Sequence, residues 1–158
     1  MIGVDDKEYI LKGITDKLRR KYDYIILDCP PSLNMLTINA LTAATSVLVP
    51  IQCEYYALEG LSQLIHTIDL VKDRLNKKLA MEGVVFTMYD ARTNLSLQVV
   101  ENVKDNLQQN IYKTIIPRNV RLAEAPSYGQ PINIYDSRSA GAEAYRLLAE
   151  EVINREDK

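Results

Sequence analysis

The 158-residue chain has little of several residue types that mark specialised classes of protein. It contains two cysteines, Cys29 and Cys53, one histidine and no tryptophan. Two cysteines and one histidine are too few for a disulfide framework or a zinc site, so we interpret both cysteines as buried, reduced thiols. Gly and Pro number six each and 47% of the residues are hydrophobic. This composition excludes collagen-like and disordered chains and predicts a globular protein whose core needs no metal or disulfide.

Charge of one sign is also lacking. The chain contains 19 Lys and Arg residues and 21 Asp and Glu residues, which gives a formal net charge of −2. Contact with nucleic acid would therefore require a local basic patch, because the summed charge attracts no phosphate backbone. No apolar run approaches the roughly 20 residues that span a bilayer, and residues 1–6 lack the basic and apolar pattern of a secretory signal. We expect a cytoplasmic protein without a membrane partner.

Short apolar runs alternate with stretches of helical spacing along the chain. The runs are rich in β-branched residues and lie at 24–27, 47–49, 83–86 and 114–116. Helical spacing of apolar residues covers 8–21, 33–44, 57–75, 94–109 and 140–154. This alternation is typical of βαβ units, and it predicts a single α/β domain over 1–158 with a doubly wound, mostly parallel sheet and helices on both faces.

A glycine-rich phosphate loop is missing from this predicted α/β fold. No G-x-G-x-x-G pattern occurs, and none of the six glycines precedes a lysine, which excludes the G-x-x-x-x-G-K-[ST] loop. Asp28, in contrast, follows the apolar run 24–27 directly and precedes Pro30 and Pro31. An acid at that point has two interpretations: a ligand of a hard cation such as Mg²⁺, or a polar strand end that caps the next helix.

Longer motifs carry a family resemblance. They include Asp28-Cys29-Pro30-Pro31-Ser32-Leu33, the segment 49–61 (VPIQCEYYALEGL), the segment 83–93 (GVVFTMYDART), Ile116-Pro117-Arg118-Asn119-Val120-Arg121-Leu122, and the segments 124–129 and 135–145. In this order they strongly resemble the ParA/Soj family of chromosome and plasmid partition ATPases. Members of that family have a P-loop NTPase fold, and their deviant P-loop, its signature lysine and a switch aspartate precede the part that this chain resembles. The resemblance therefore implies the C-terminal portion of such an ATPase domain, predicted to be inactive by itself.

The resemblance also implies roles for individual residues in binding ATP and Mg²⁺. Asp28 corresponds to the Walker B acid, which contacts Mg²⁺ directly or through water. Met88 and Asp90 stand at a strand end where related nucleotidases read the base, and Pro117 and Arg118 stand where the family packs against adenine. For Asp90, an alternative is a turn residue after a strand.

Arginines carry the predicted contact with DNA. Arg92 and Arg121 correspond to arginines that the family uses to bind double-stranded DNA without sequence preference, and Arg118 is near enough to contribute. Guanidinium groups contact phosphates bidentately, so such binding falls steeply with salt. The alternative is that each arginine is a solvated loop charge or the partner of a nearby acid such as Glu124.

Three functions are compatible with these residues. The first is an ATP-dependent partition protein of the nucleoid, which forms a homodimer, binds DNA and hydrolyses ATP when a ParB-type (Spo0J-type) partner stimulates it. The second is a non-catalytic module that binds DNA or partners. The third, a MinD-like membrane-associated positioning ATPase, is disfavoured because Glu150, Glu151, Glu156 and Asp157 outnumber the basic residues near the C-terminus.

Overall fold

The structure of the chain is a computed structural model, and it describes residues 6–30, 32, 34–106 and 110–156. Two compact units divide the chain. The first comprises the residues up to Val47 together with Ser62–Glu82, and the second comprises Leu48–Leu61 and the residues from Gly83 onward. The expectation of a single domain over 1–158 stays a prediction.

Helices and short strands follow one another along the described chain. The helices are α1 (Ile10–Leu18), α2 (Met35–Ala43), α3 (Ala57–Arg74), α4 (Asn94–Asn106), α5 (Val120–Glu124), α6 (Ile132–Tyr135) and α7 (Ala140–Glu156). The strands are β1 (Ser46–Gln52), β2 (Ala80–Tyr89) and β3 (Ile111–Pro117). Single turns of 3-10 helix lie at Lys7–Tyr9 and Ala125–Tyr128. Three of the four predicted strands and the five predicted helices are confirmed, although residue 33 and residues 107–109 of two helices lie outside the described part.

Two asparagines organise the first unit. The Asn39 side chain donates to the carbonyl of Lys7 at 2.9 Å and accepts from the N–H of Leu11 at 3.2 Å, which ties α2 to the start of α1. The Asn76 side chain donates to the carbonyls of Leu41 and Ala44, so it satisfies groups at the C-terminal end of α2. Both asparagines are buried, and these bonds offset the cost of removing their amides from water.

The predicted strand at 24–27 is wrong. These residues belong to neither a helix nor a strand, and Ile26 is 89% exposed while Tyr24 is 46% exposed. A strand exists only where a neighbouring strand pairs with it, and an apolar run gives no information on whether that neighbour is present. The described sheet, of order β1-β2-β3, does not include residues 24–27. Asp28 therefore does not follow a strand of this sheet.

The second unit contains most of the sheet. Strands β2 and β3 pair in parallel, with Val84 opposite Ile111, Phe86 opposite Ile115 and Tyr89 opposite Pro117. The register shifts between each of these pairs. Val84, Val85 and Phe86 are at most 1% exposed. A continuously buried run of this kind is typical of a parallel strand that is covered on both faces.

Helix α7 packs against β3 through a buried cluster and a polar clamp. The cluster contains Val85, Tyr112, Ile116 and Ala144, with the half-buried Leu48, Leu122, Leu148 and Val152 around it. The clamp is Glu151, whose carboxylate accepts from the N–H groups of Lys113 and Thr114 at 2.8 and 2.9 Å and from the Thr114 hydroxyl at 2.8 Å. It occupies the stretch where the register of β3 shifts, so a side chain satisfies the N–H groups there.

The inward face of α7 differs in part from the one that apolar spacing predicts, which consists of Tyr145, Leu148, Ala149 and Val152. Leu148 and Val152 face the core as predicted, but Tyr145 is 45% exposed and Ala149 is exposed. Ala142 and Ala144 are buried instead. Helical periodicity shows which residues share a face, but it does not show which of two adjacent apolar stripes is covered.

Gly83 lies where β2, β3 and α7 approach one another most closely. A Cβ atom there would stand 2.8 Å from the Tyr112 ring, 3.0 Å from the Asn110 carbonyl oxygen and 3.1 Å from the Arg155 guanidinium. We expect Gly83→Ala to lower the free energy of unfolding by about 1–3 kcal/mol, the usual cost of overpacking. Urea denaturation measures this change.

Gly60→Ala is the matched control, because a Cβ at Gly60 in α3 meets no atom within 4 Å. Alanine has the higher helix propensity, so this variant should be unchanged or about 0.5–1 kcal/mol more stable. Equal unfolding midpoints for the two variants would show that the neighbours of Gly83 move to accommodate the added Cβ without a loss of stability.

Candidate nucleotide and nucleic-acid site

The carboxyl ends of β2 and β3 bring together most of the predicted site residues. Tyr89 is the register partner of Pro117, and the Arg118 N–H donates to the Tyr89 carbonyl at 2.8 Å. Met88 and Asp90, on either side of Tyr89, are thereby placed beside Pro117 and Arg118. Ligands of α/β proteins bind beyond the carboxyl ends of parallel strands, so this is the part of the sheet where a binding site is expected.

Met88 has a strained backbone. Its φ angle is 55°, in the left-handed region that residues other than Gly seldom adopt. It is 39% exposed and lies within the second register shift of β2 and β3. Strain of this kind costs about 1–3 kcal/mol and clusters at ligand sites. Met88 is thus a functional candidate on geometric grounds as well.

Asp90 forms a two-point ion pair with Arg92. The Arg92 Nε and Nη2 atoms donate to the two carboxylate oxygens of Asp90 at 2.9 and 2.7 Å, and the Arg92 backbone N–H donates to Asp90 Oδ1 at 3.0 Å. These hydrogen bonds, together with the charges of Arg92 and Arg118, hold the pKa of Asp90 well below its ordinary value. This shift favours the ionised form of Asp90.

The turn after β2 connects Asp90 to the start of α4. The Asp90 N–H donates to the Ser96 hydroxyl oxygen at 3.2 Å, while the Thr93 N–H and hydroxyl donate to the Asp90 carbonyl at 3.1 and 3.0 Å. The Ser96 N–H donates in turn to the Thr93 hydroxyl, which serves as an N-terminal cap. Asp90 thus has the geometry of a turn residue, and its contact with a base stays a prediction.

Arg121 lies in a second set of ion pairs. Its Nη1 atom is 2.9 Å from Glu124 Oε2, and its Nε atom is 3.4 Å from Asp136 Oδ2. The Tyr135 hydroxyl donates to the same Glu124 oxygen at 3.1 Å, and the Tyr135 ring stacks on Tyr128 at 5.1 Å between centroids. The hydrogen bonds from Arg121 and Tyr135 lower the pKa of Glu124. The pairing of Arg121 with Glu124 was the alternative considered from the sequence, and the structure contains it.

Arg118 differs from the other two arginines. Its side chain is exposed, and in the part of the chain that the structure describes it makes no ion pair. Its charge nevertheless lowers the pKa of Asp90. Arg92 follows the end of β2, and Arg118 and Arg121 follow the end of β3, in the same unit. Arg92 and Arg121 form ion pairs with nearby acids.

Asp28 lies in the first unit and is exposed. Of the two cysteines predicted to be buried, Cys53 is buried but the neighbouring Cys29 is exposed, so the prediction is wrong for Cys29. Partial desolvation, together with the charge of Asp28, raises the pKa of the Cys29 thiol. No group of three or more His, Cys, Asp or Glu residues that could hold a metal ion occurs among the described residues. A single carboxylate fits a cation that takes its other ligands from phosphates and water, as Mg²⁺ commonly does. The role of Asp28 as a Mg²⁺ ligand stays a prediction.

Sequence reasoning missed Tyr135 as a partner of Glu124 and Asp136 as a partner of Arg121. Both occur in a motif that the resemblance covers, but the motif itself does not show that a loop returns them to α5. Short elements such as α5 and α6 were also missed, since four or five residues are too few for a periodic signal.

Across the described ranges, no helix is both long and apolar enough to cross a membrane.

Solved structures with the same fold bind nucleotides. The structure of cobyrinic acid a,c-diamide synthase from Mycobacterium smegmatis with bound ADP and magnesium is 35% identical in sequence, with a TM-score of 0.82, over 98% of this chain and 56% of that one. The cell division ATPase MinD of Pyrococcus furiosus (23% identical, TM-score 0.75) and a putative plasmid partition protein of Borrelia burgdorferi bound to AMPPNP (21%, 0.76) share the fold. The predicted α/β class with a mostly parallel sheet is thus confirmed, and it is that of the P-loop NTPases.

Curated relatives narrow the assignment. The sporulation initiation inhibitor protein Soj of Bacillus subtilis is 61% identical over 96% of this chain, and the chromosome partitioning protein ParA of Myxococcus xanthus is 54% identical over 99%. The family model described as an AAA domain matches residues 1–81. The chain belongs to this AAA domain family and, as its motifs indicated, is a homologue of the ParA/Soj chromosome-partitioning ATPases. It spans 60% and 55% of the length of these two relatives.

Proposed function

We propose that this chain acts in a ParA/Soj-type partition ATPase of chromosome or plasmid segregation, in the cytoplasm and at the nucleoid. The observation that carries the proposal is its 61% identity with Soj of B. subtilis over 96% of the chain. The carboxyl ends of β2 and β3 support it, because Met88 and Asp90 lie beside Pro117 and Arg118 there. The proposed cycle joins ATP and Mg²⁺ binding to homodimer formation, DNA binding and hydrolysis stimulated by a ParB-type partner.

The proposed contacts with Mg²⁺ and with the base come from two sets of residues. Asp28 of the first unit would hold Mg²⁺ directly or through water, and the cation would supply charge neutralisation at the phosphates. In the second unit, Met88, Asp90, Pro117 and Arg118 would contact the base. The Arg118 N–H donates to the Tyr89 carbonyl, so these residues are held side by side at the two strand ends.

The DNA contacts would come from Arg92, Arg118 and Arg121. All three are exposed, and guanidinium groups bind phosphate with two parallel hydrogen bonds. Because the net charge of the chain is −2, affinity must come from this local patch instead of the whole surface. Binding should be independent of base sequence, since no contact with base edges is required.

Hydrolysis of ATP by the protein at its full encoded length tests the proposal. We expect Mg²⁺-dependent hydrolysis and at least a tenfold lower rate in Asp28→Asn, because the neutral amide binds the cation less strongly. Asp23→Asn is the matched control, since it removes the same charge from an exposed position five residues earlier.

Two results would contradict the proposal in different ways. No hydrolysis by the wild-type protein, with and without a ParB-type partner and DNA, would favour the non-catalytic module. Hydrolysis by Asp28→Asn at the wild-type rate would leave the partition function standing but remove Asp28 from the Mg²⁺ site.

A further inference from the structure

The two arginines assigned to DNA by resemblance already bind carboxylates of their own unit. Arg92 donates to both oxygens of Asp90, and Arg121 pairs with Glu124 and Asp136. We propose that these acids compete with DNA phosphates for the two arginines and thereby set the affinity of the protein for DNA. This inference rests on the DNA contacts in the function proposed above. Asp90 and Glu124 would be positioning residues that hold the arginines in the DNA-free protein.

The geometry of the Arg92 pair resembles that of a guanidinium on phosphate. Two nearly equal N–H···O contacts, of 2.9 and 2.7 Å, join Arg92 to Asp90, which is the fork arrangement that arginine also makes with phosphate oxygens. The Arg92 side chain is 86% exposed. It can therefore exchange Asp90 for an incoming phosphate without removing any covering group. A phosphate that binds the Nε and Nη2 edge must displace Asp90, whereas one that binds the remaining N–H groups of Arg92 is repelled by the Asp90 charge. Asp90 therefore weakens phosphate binding to Arg92 in both cases.

The Arg121 pair differs because three groups share it. Arg121 Nη1 binds Glu124, its Nε atom faces Asp136, and Tyr135 donates to the same Glu124 oxygen. The Arg121 side chain is 54% exposed. The Tyr135 hydrogen bond continues to hold Glu124 when Arg121 leaves, so the carboxylate keeps a donor during the exchange. This arrangement lowers the cost of releasing Arg121 to DNA.

Water reaches the arginine side of each pair more than the acid side. Arg92 is 86% and Arg121 54% exposed, whereas Asp90 is 16% and Glu124 37% exposed. Solvent around the guanidinium limits the strength of each pair, so removing the carboxylate should tighten DNA binding by about twofold to fivefold for each acid. Asp90→Asn keeps an oxygen that can accept from the Arg92 backbone N–H, and so it preserves the turn. Glu124→Gln likewise keeps an acceptor for Tyr135. Glu124→Gln removes the competing charge at a residue outside the proposed nucleotide contacts, whereas Asp90→Asn also alters a proposed base contact.

Fluorescence anisotropy with a labelled random-sequence duplex, in about 0.1 M salt with Mg²⁺ and ATP, tests this at the full encoded length. Glu143→Gln is the matched control, because it removes one negative charge from an ion pair with Arg146 on α7. We expect Asp90→Asn and Glu124→Gln to bind more tightly than Glu143→Gln. We also expect Asp90→Asn to have no effect when Arg92 is already alanine. Glu124 is not among the residues proposed to contact the base, so the change in DNA affinity in Glu124→Gln is independent of that contact.

The outcomes separate this inference from the function on which it rests. If Arg92→Ala with Arg121→Ala binds DNA like the wild type, the proposed DNA contacts are wrong. If that double variant loses binding but neither acid variant exceeds Glu143→Gln, the DNA contacts stand and the competition is overturned. If Asp90→Asn also tightens DNA binding when Arg92 is alanine, the change is a general effect of charge. That result would overturn the competition as well.

Discussion

Replacing Arg92 and Arg121 together by alanine should weaken DNA binding at least about tenfold near physiological salt and leave ATP affinity unchanged. Non-specific affinity comes mainly from counterions that are released when cations neutralise phosphates. Each lost phosphate contact should reduce the magnitude of the slope of log affinity against log salt concentration by about 0.9. The slope of the double variant should therefore be smaller in magnitude by about 1.8 than that of the wild type. Fluorescence anisotropy at four or more salt concentrations, at the full encoded length with ATP, measures both quantities.

A double variant of equal charge provides the control. Arg19→Ala with Arg20→Ala also removes two positive charges from exposed positions, but these lie at the end of α1, in the other unit. Its salt slope should match that of the wild type. If both double variants lose the same affinity, DNA responds to net charge alone, and the assignment of Arg92 and Arg121 is wrong.

Glu151→Ala should cause the largest loss of stability among the single substitutions considered. The carboxylate accepts from two backbone N–H groups and the Thr114 hydroxyl, and it also pairs with Arg155 at 2.8 Å. The side chain is only 17% exposed, so water replaces few of these bonds when the carboxylate is removed. We expect the free energy of unfolding to fall by about 2–3 kcal/mol. Urea denaturation monitored by circular dichroism gives the value.

Glu143→Ala on the same helix is the reference for this loss. Its side chain is 59% exposed and pairs only with Arg146, so the change should stay within about 0.5 kcal/mol. The Arg155 guanidinium, 3.8 Å above the centre of the Tyr112 ring and bonded to the Ile111 carbonyl at 2.7 Å, holds the clamp from the other side. Similar destabilisation by the two variants would show that the clamp contributes nothing beyond an exposed pair.

Acid should reduce the contribution of Glu151. Burial alone raises the pKa of Glu151, but hydrogen bonds from Lys113, Thr114 and Arg155 outweigh it and leave the folded pKa below the ordinary value. Such a group stabilises the fold above its unfolded pKa of about 4.3, and this stabilisation disappears as the pH falls through the lower folded pKa. The difference between wild type and Glu151→Ala should therefore decrease below about pH 4.

The strands that were predicted correctly and the one that was not differ in their neighbours. The runs at 47–49, 83–86 and 114–116 became β1, β2 and β3, which pair with one another. The run at 24–27 has the same apolar, β-branched character, but it joins no strand of this sheet. Local sequence determines the tendency to be extended, whereas pairing depends on residues distant in sequence.

The candidate site was predictable as a set of residues but not as a set of contacts. Family motifs pointed to Met88, Asp90, Pro117 and Arg118, and the parallel pairing of β2 with β3 brings these residues side by side. The fork between Asp90 and Arg92 depends on a turn conformation, and the contact of Arg121 with Asp136 joins residues 15 positions apart. Neither is encoded in a local period of the sequence, so both required three-dimensional structure.

The irregular register of β3 restricts how this segment can change in length during evolution. Between Ile111 and Ile115 the strand advances four residues while β2 advances two, from Val84 to Phe86. Deletion of one residue here would turn every later side chain to the opposite face and expose Ile116, which is now 2% exposed. Deletion of two would restore regular pairing and keep Ile116 inside. Length variation among natural sequences should therefore occur at this point in pairs of residues.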